Sequence, residues 1–308
     1  MDGIVILDKE KNMTSFQAVS RVKYALGEKK AGHTGTLDPN ATGVLPVLLG
    51  KATKLAPFVV DSEKEYIADF KFGIKTDTLD IWGKVVDICD SSFVTRKLIL
   101  KALEDFKGKI MQVPPMNSAI SKNGVRLYEL ARKGMEIERS SREVEIFDIE
   151  LISFDENTKE GKIKVLCGKG TYIRSLIDDI GRKLGCFCVM TELRRTKNCG
   201  FSIEEAVELK KISADNIISP EKLLEKYPSL NIFGFGAKLV KSGQEIKLLK
   251  YFDDCDEGYV RLYENGFLGL GVIRSESKEK FLNIRDNNGV TVIRTENKEK
   301  FLKAYLIF

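Results

Sequence analysis

Gly32-His33-Thr34-Gly35-Thr36-Leu37-Asp38-Pro39-Asn40-Ala41-Thr42-Gly43-Val44-Leu45-Pro46-Val47-Leu48-Leu49-Gly50 is the most informative stretch of this 308-residue chain. Glycines and prolines pin an irregular backbone there, and small threonines surround a single carboxylate. Asp38 stands directly before a proline, which holds it in an extended or turn conformation. An isolated Asp-Pro usually caps a turn. A loop so rich in small residues instead presents its one charged side chain outward.

Regular patterns surround this loop. Upstream, Gly3-Ile4-Val5-Ile6-Leu7 reads as a buried strand, and Thr14 or Ser15 caps a helix carrying Phe16, Val19, Val22 and Leu26 at helical spacing, with Gly27 as its stop. Downstream, Tyr66, Ala68, Phe70 and Phe72 alternate with Ile67, Asp69 and Lys71, the period of a half-buried strand. A helix is predicted over 96–106, strands over 144–154 and 162–166, a helix over 172–184 before Gly185, and a strand over 187–193. Strands and helices alternating at irregular lengths predict an α+β fold, a mixed, largely antiparallel sheet with flanking helices. This core is expected to span 1–230, with Pro220 and Pro228 flanking a last short helix. Residues 231–308, rich in Gly, Tyr and Phe in short strand-like runs, are expected to form a small β domain.

Two segments stand apart. Residues 119–142 carry six basic residues (Lys122, Arg126, Arg132, Lys133, Arg139, Arg142) against three acids around a short helix, and predict a projecting basic element. Val272–Leu282 recurs as Val292–Leu302 with nine of eleven positions identical. Two copies are too few for a solenoid, so a duplicated local hairpin is expected.

Composition excludes several classes. Hydrophobic residues at 43% and charged residues at 31% describe a packed chain rather than a disordered one. The longest apolar runs, 44–49 and 55–60, are interrupted by proline and fall far short of the roughly 20 residues of a membrane helix. With no basic start and no long apolar run near Met1, a cytoplasmic location is expected. A net charge of +5 permits a polyanionic partner without demanding one. Six cysteines without a Cys-x-x-Cys pair, together with the single histidine His33, provide too few ligands for a zinc site, so reduced thiols and no metal are expected.

The loop around Asp38 resembles the catalytic motif of TruB-type tRNA pseudouridine synthases, and the resemblance continues along nearly the whole chain. Lys64-Glu65-Tyr66, then Phe72-Gly73 and Thr76-Asp77-Thr78-Leu79-Asp80-Ile81-Trp82-Gly83, look like a second signature of that family. Val113-Pro114-Pro115 with Ser118-Ala119 and Gly124-Val125-Arg126-Leu127-Tyr128-Glu129-Leu130-Ala131-Arg132 look like a third. The segment 167–181, centred on Gly-Lys-Gly-Thr-Tyr-Ile-Arg, and Leu193-Arg194-Arg195-Thr196 complete the set. The tail from about Gly234 resembles, more loosely, a PUA domain, an RNA-binding β module.

The resemblance implies a pseudouridine synthase fold and isomerisation of uridine 55 in the tRNA T-loop to pseudouridine. Substrate and product are isomers, so no cofactor is expected, in keeping with the absence of a P-loop or dinucleotide fingerprint from the sequence. It implies that Asp38 is the catalytic carboxylate, whether it attacks the sugar or acts as a base toward a glycal. Arg174 becomes its guanidinium partner. Tyr66 becomes the residue that stacks on uracil near the C5 proton, while Tyr172 and Leu193 are further walls of the uracil pocket. His33 becomes the filler of the space left by the flipped nucleotide, and Asp80 a residue that orients Asp38 or contacts RNA. The basic element 119–142 would clamp the T-stem-loop through its phosphates. A monomer with tRNA as partner, and no obligate protein partner, is expected.

Departures from the family pattern fall on loops. Lys9-Glu10-Lys11-Asn12-Met13-Thr14-Ser15 lacks the usual Pro and Gly, Asn117 stands where an aromatic is preferred, and Ser121-Lys122 places a lysine one position late. Two alternatives come from other classes. One is an RNA-binding or tRNA-folding protein, against which intact Asp38, Tyr66 and Arg174 argue. The other is a carboxylate-based hydrolase, which needs a second carboxylate at a fixed distance.

Overall fold

The computed structural model describes the chain apart from residues 60–62, 119–120, 123, 133, 136, 249–255 and 287–288. For 121–122, 125–126, 128–129, 132, 276–286 and 289–299 it describes the backbone only. The chain divides into two compact units, Gly3–Ile217 and Ile218–Phe308. The sequence reading put the division at 230/231, thirteen residues later. Those residues join the second unit because Ser229–Asn231 pairs in parallel with Gly258–Tyr263, Ser229 opposite Arg261.

The first unit contains β1 (Gly3–Lys9), α1 (Ser15–Ala25), β2 (Ala31–His33), β3 (Thr42–Leu49), β4 (Lys64–Phe72), β5 (Ile74–Thr76) and β6 (Val85–Ile88). It continues with α2 (Arg96–Glu104), β7 (Gly108–Gln112), α3 (Leu127–Arg132), β8 (Arg142–Asp155), β9 (Glu160–Cys167), α4 (Ile173–Lys183), β10 (Cys188–Asn198) and β11 (Val207–Glu208). Among the described residues one ten-stranded sheet runs β11-β1-β3-β10-β4-β9-β8-β7, with β2 added to β3 and Phe201–Ser202 to β10. Only the β1/β11 and β3/β10 contacts are parallel, so the sheet is mixed and largely antiparallel.

Apolar periodicity decided most of this. Tyr66, Ala68, Phe70 and Phe72 of β4 are buried as their alternation required. Thr14 caps α1 by accepting from the Gln17 amide at 3.1 Å. Helix α4 turns Ile173, Leu176, Ile177 and Ile180 into the core. It lies so close to β10 that a Cβ on Gly181 would come within 2.6 Å of the Cys188 Cβ. One expectation needs correction. The irregular backbone expected over the whole glycine-rich stretch is confined to 34–41, because β3 places the apolar run Val44–Leu49 in the centre of the sheet, Pro46 included. Burial of six apolar side chains outweighs one missing donor, and the Pro46 carbonyl still accepts from the Thr34 amide at 3.2 Å.

The second unit has β12 (Ser229–Asn231), α5 (Gly234–Lys241), β13 (Ile246–Lys247), β14 (Gly258–Tyr263), β15 (Phe267–Asp286) and β16 (Gly289–Ile307), with sheet order β12-β14-β15-β16-β13. Its core holds Leu230, Val240, Val260, Leu262 and Leu302. The short strand-like runs expected over 231–308 are here two strands of 20 and 19 residues. The duplicated segments are the two facing strands of this one hairpin, Val272 opposite Lys303 and Leu282 opposite Ile293.

Candidate active site

Asp38 lies in the loop between β2 and β3, and the backbone on either side of it, at Leu37 and Pro39, is held by buried side chains. Ser15 is 2% exposed; its Oγ donates to the Leu37 carbonyl at 3.0 Å and accepts from the Leu37 amide at 2.8 Å. Lys9, fully buried, donates from Nζ to the carbonyls of Pro39 at 3.1 Å, Met13 at 2.8 Å and Glu10 at 2.9 Å. Burial pushes the Lys9 ammonium down to about 8, against an upward pull from Asp38. The Ala41 amide donates to the Asp38 carbonyl at 3.1 Å. The loop is therefore closed on itself, with one side chain left free to project.

That side chain meets Arg174. Arg174 opens α4 directly after its N-cap, Tyr172, and Ile173, and its Nε donates to Asp38 Oδ2 at 2.9 Å. Its Nη1 donates to the Thr78 carbonyl at 2.9 Å and its Nη2 to the Asn117 carbonyl at 2.8 Å. A planar guanidinium can hold three acceptors in one fixed fork. Asp80 Oδ2 stands 3.8 Å from Nη1, and Asp80 Oδ1 accepts from Thr78 Oγ1 at 2.7 Å. Burial raises the Asp80 pKa above the ordinary carboxylate value, with Thr78 and Arg174 opposing. The Asp80 loop is fixed to β10 by Ile81 donating to the Met190 carbonyl and Met190 donating to that of Leu79.

Tyr66 on β4 is 7% exposed and faces Arg195 of β10 in the antiparallel register; Leu193, also 7% exposed, faces Ala68 on the same sheet face. Leu193 and Tyr66 are thus diagonal neighbours. Burial raises the Tyr66 phenol above its usual pKa, and the nearby Asp38 charge pushes the same way. Tyr172 exchanges two hydrogen bonds with Gln112, donating its amide to Oε1 at 2.8 Å and accepting from Nε2 at 3.1 Å. Its phenol is also raised, first by burial, and it too senses Asp38.

His33 ends β2 at the entrance to the loop, and its Nδ1 is buried without a hydrogen-bond partner. Burial and then the Arg195 charge lower its pKa from 6.5. Asp38, Arg174 and Asp80 are thus in contact, Tyr66 and Tyr172 stand within reach of the Asp38 charge, and His33 senses Arg195. Of the basic element, the side chains of Lys122, Arg126, Arg132 and Lys133 lie outside the described residues, while Arg139 donates to the Pro114 carbonyl at 3.3 Å.

Sequence reasoning named no role at the site for Ser15, offered only as a helix cap, or for Lys9, Asn198 and Arg195. All four are buried polar side chains that bond to backbone groups, which leave no mark in a sequence. The departures are absorbed locally. Asn12 itself adopts the left-handed conformation, φ 61°, that the family's glycine would supply, and Asn117 serves through its carbonyl. Among the described residues no group of three or more His, Cys, Asp or Glu side chains is placed to hold a metal ion. No helix among them is long and apolar enough to cross a membrane.

Comparison with known proteins matches this architecture. Residues 23–173 fit the model of the TruB family pseudouridylate synthase N-terminal domain, and 174–230 that of the tRNA pseudouridylate synthase B C-terminal domain. The chain belongs to the TruB family of pseudouridylate synthases. It is 44% identical over 287 residues to the tRNA pseudouridine synthase B of Clostridium tetani (strain Massachusetts / E88), covering 91% of this chain and 98% of that one. The tRNA pseudouridine synthase B of Clostridium perfringens (strain 13 / Type A) is 43% identical over 279 residues, covering 88% and 95%. Among solved structures, the crystal structure of a Cbf5-Nop10-Gar1 complex matches with a TM-score of 0.64 at 25% identity, covering 96% of this chain and 84% of that one.

Proposed function

We propose that this enzyme isomerises uridine 55 in the T-loop of tRNA to pseudouridine, with Asp38 as the catalytic carboxylate. The observation that carries the reading is the Asp38–Arg174 contact, a projecting carboxylate held at 2.9 Å by a guanidinium whose other nitrogens are fixed to backbone. The N1–C1′ bond breaks, the base turns, C5 bonds to C1′, a proton leaves C5 and one is taken up at N1, so atoms balance without a cofactor. Asp38 either attacks C1′ or removes a sugar proton toward a glycal, and both routes need the ionised form. Tyr66, Tyr172 and Leu193 form a largely apolar slot for the base, with Tyr66 taking the C5 proton. Extruding the nucleotide costs a few kcal/mol of stacking, and His33 fills the space it leaves.

In this reading Asp80 orients Arg174, the element over 119–142 and the second unit, a PUA-like RNA-binding domain, grip the T-stem-loop and the rest of the tRNA, and the enzyme works as a cytoplasmic monomer. The test is tritium release from a tRNA transcript labelled at uridine C5, with the modified position mapped. Release by the wild type alone, and not by Asp38→Asn, is expected at position 55. Release at another position, or by the variant, would overturn the reading.

A further inference from the structure

We propose that Arg195 is a positioning residue for the same reaction: its guanidinium ties both ends of the Asp38 loop together directly opposite Tyr66 and so keeps the Tyr66 oxygen ready to accept the proton leaving uracil C5. The inference rests on the uridine isomerisation proposed for this site.

Arg195 is 1% exposed and has the largest side chain among the fully buried residues. On β10 it faces two strands at once, Tyr66 of β4 on one side and Gly43 of β3 on the other. Its Nε donates to the Val44 carbonyl at 2.8 Å, just after the loop, and its Nη2 to the Gly35 carbonyl at 3.1 Å, where the loop begins. Asn198, three residues along β10, donates to the Thr34 carbonyl at 2.9 Å. One strand therefore clasps the loop at entry and exit, and the same residue stands directly opposite Tyr66 across the β4/β10 pairing.

Neutral carbonyls do not cancel the Arg195 charge, and Lys9, His33, Tyr66 and Cys167 all feel it. A guanidinium does not lose its proton in a protein, so this is a permanent positive charge beside the phenol. The groups acting on Tyr66 are Arg195, which favours phenolate, and Asp38 and Cys167, which oppose it. Burial alone would leave little phenolate present; Arg195, directly opposite Tyr66, supplies the compensating field. In the step itself the phenol proton leaves to solvent and the phenolate takes the C5 proton. The C5–H electron pair restores C5=C6 as N1 takes a proton from solvent, and Tyr66 ends protonated as it began.

The test uses the full-length protein with every tyrosine replaced by 3-fluorotyrosine, the Tyr66 fluorine signal being identified by its loss in Tyr66→Phe. Arg195→Gln is expected to raise the Tyr66 titration midpoint by about one pH unit or more. In single turnover on a T-stem-loop RNA deuterated at uridine C5, it is expected to slow the reaction about a hundredfold and enlarge the isotope effect. Arg195→Lys keeps the charge but cannot hold the Val44 and Gly35 carbonyls together in one fork. It serves where Arg195→Gln does not fold by thermal melting, and is expected to enlarge the isotope effect with KM within about twofold of wild type. An unmoved Tyr66 midpoint in folded Arg195→Gln, or an unchanged isotope effect in Arg195→Lys, overturns the role of Arg195. Full tritium release by Tyr66→Phe, with Arg195 intact, overturns instead the reading of Tyr66 on which it rests.

Discussion

Arg174 Nε lies 2.9 Å from Asp38 Oδ2, yet the two side chains occupy opposite environments, the arginine 4% exposed and the aspartate 40% exposed. The cation is part of the frame and the carboxylate is its working edge. An arrangement of this kind fixes direction without closing the approach of a large substrate, which a symmetric buried pair would do.

Asp38→Asn should therefore abolish turnover and leave tRNA affinity within about tenfold, or about 1.4 kcal/mol, because one carboxylate offers no favourable contact to a phosphate backbone. Filter binding beside tritium release checks both halves. An affinity loss of several hundredfold would show that Asp38 has a binding role instead.

Arg174→Lys should slow the chemical step by about a hundredfold, since an ammonium can reach Asp38 but cannot also hold the Thr78 and Asn117 carbonyls in one plane. Arg174→Ala leaves those carbonyls unsatisfied and should also cost about 3 kcal/mol of stability. Single-turnover rates and urea midpoints separate the two effects.

His33 is the single histidine, so its imidazole titration is read from one set of NMR signals. Its folded pKa is lowered by burial and by Arg195, so the midpoint should fall below 6.5. The sign for stability follows. Below 6.5 the unfolded chain binds a proton that the folded chain refuses, so this contribution is present above 6.5 and declines as pH falls through that value. His33→Asn should show a shallower acid loss in urea midpoints measured from about pH 7.5 to about pH 5; an equal slope would remove His33 as the cause.

Gly43→Ala should destabilise the first unit by about 3 kcal/mol or more. Gly43 has φ of 103°, and an added Cβ would come within 2.1 Å of the Arg195 carbonyl oxygen. The parallel contact between β3 and β10 would have to open, moving the Arg195 clasp with it. Thermal melts give the size of the loss, and a melt equal to wild type would contradict the close approach.

Ending the chain after Ile217 should weaken tRNA binding at least about tenfold while the single-turnover rate at saturating RNA stays within about threefold. An unchanged dissociation constant would assign RNA affinity to the first unit alone.

The strands and helices were legible where one side of an element is buried. The alternation of Tyr66 to Phe72 and the helical spacing of Ile173 to Ile180 each admit one orientation relative to a core. Strand β3 was missed because Gly43 and Pro46 interrupt it and carry weak strand preference, and its seven buried residues become a strand only with β1 and β10 on either side. The compact units divide at 217/218 because residues 229–231 pair with a strand some thirty positions later. Long-range pairing of this kind has no local signal.

Family and α+β class were legible from the chain alone, which also singled out Asp38, Tyr66, Arg174 and Asp80 as candidates, because motif spacing and apolar period are properties of neighbours along the chain. Tertiary structure alone decided how those residues are held. Ser15 beneath Leu37, Lys9 beneath Pro39 and Arg195 across both ends of the loop bond to backbone carbonyls and amides. Every residue offers such groups alike, so only folding can select which of them a buried side chain will reach.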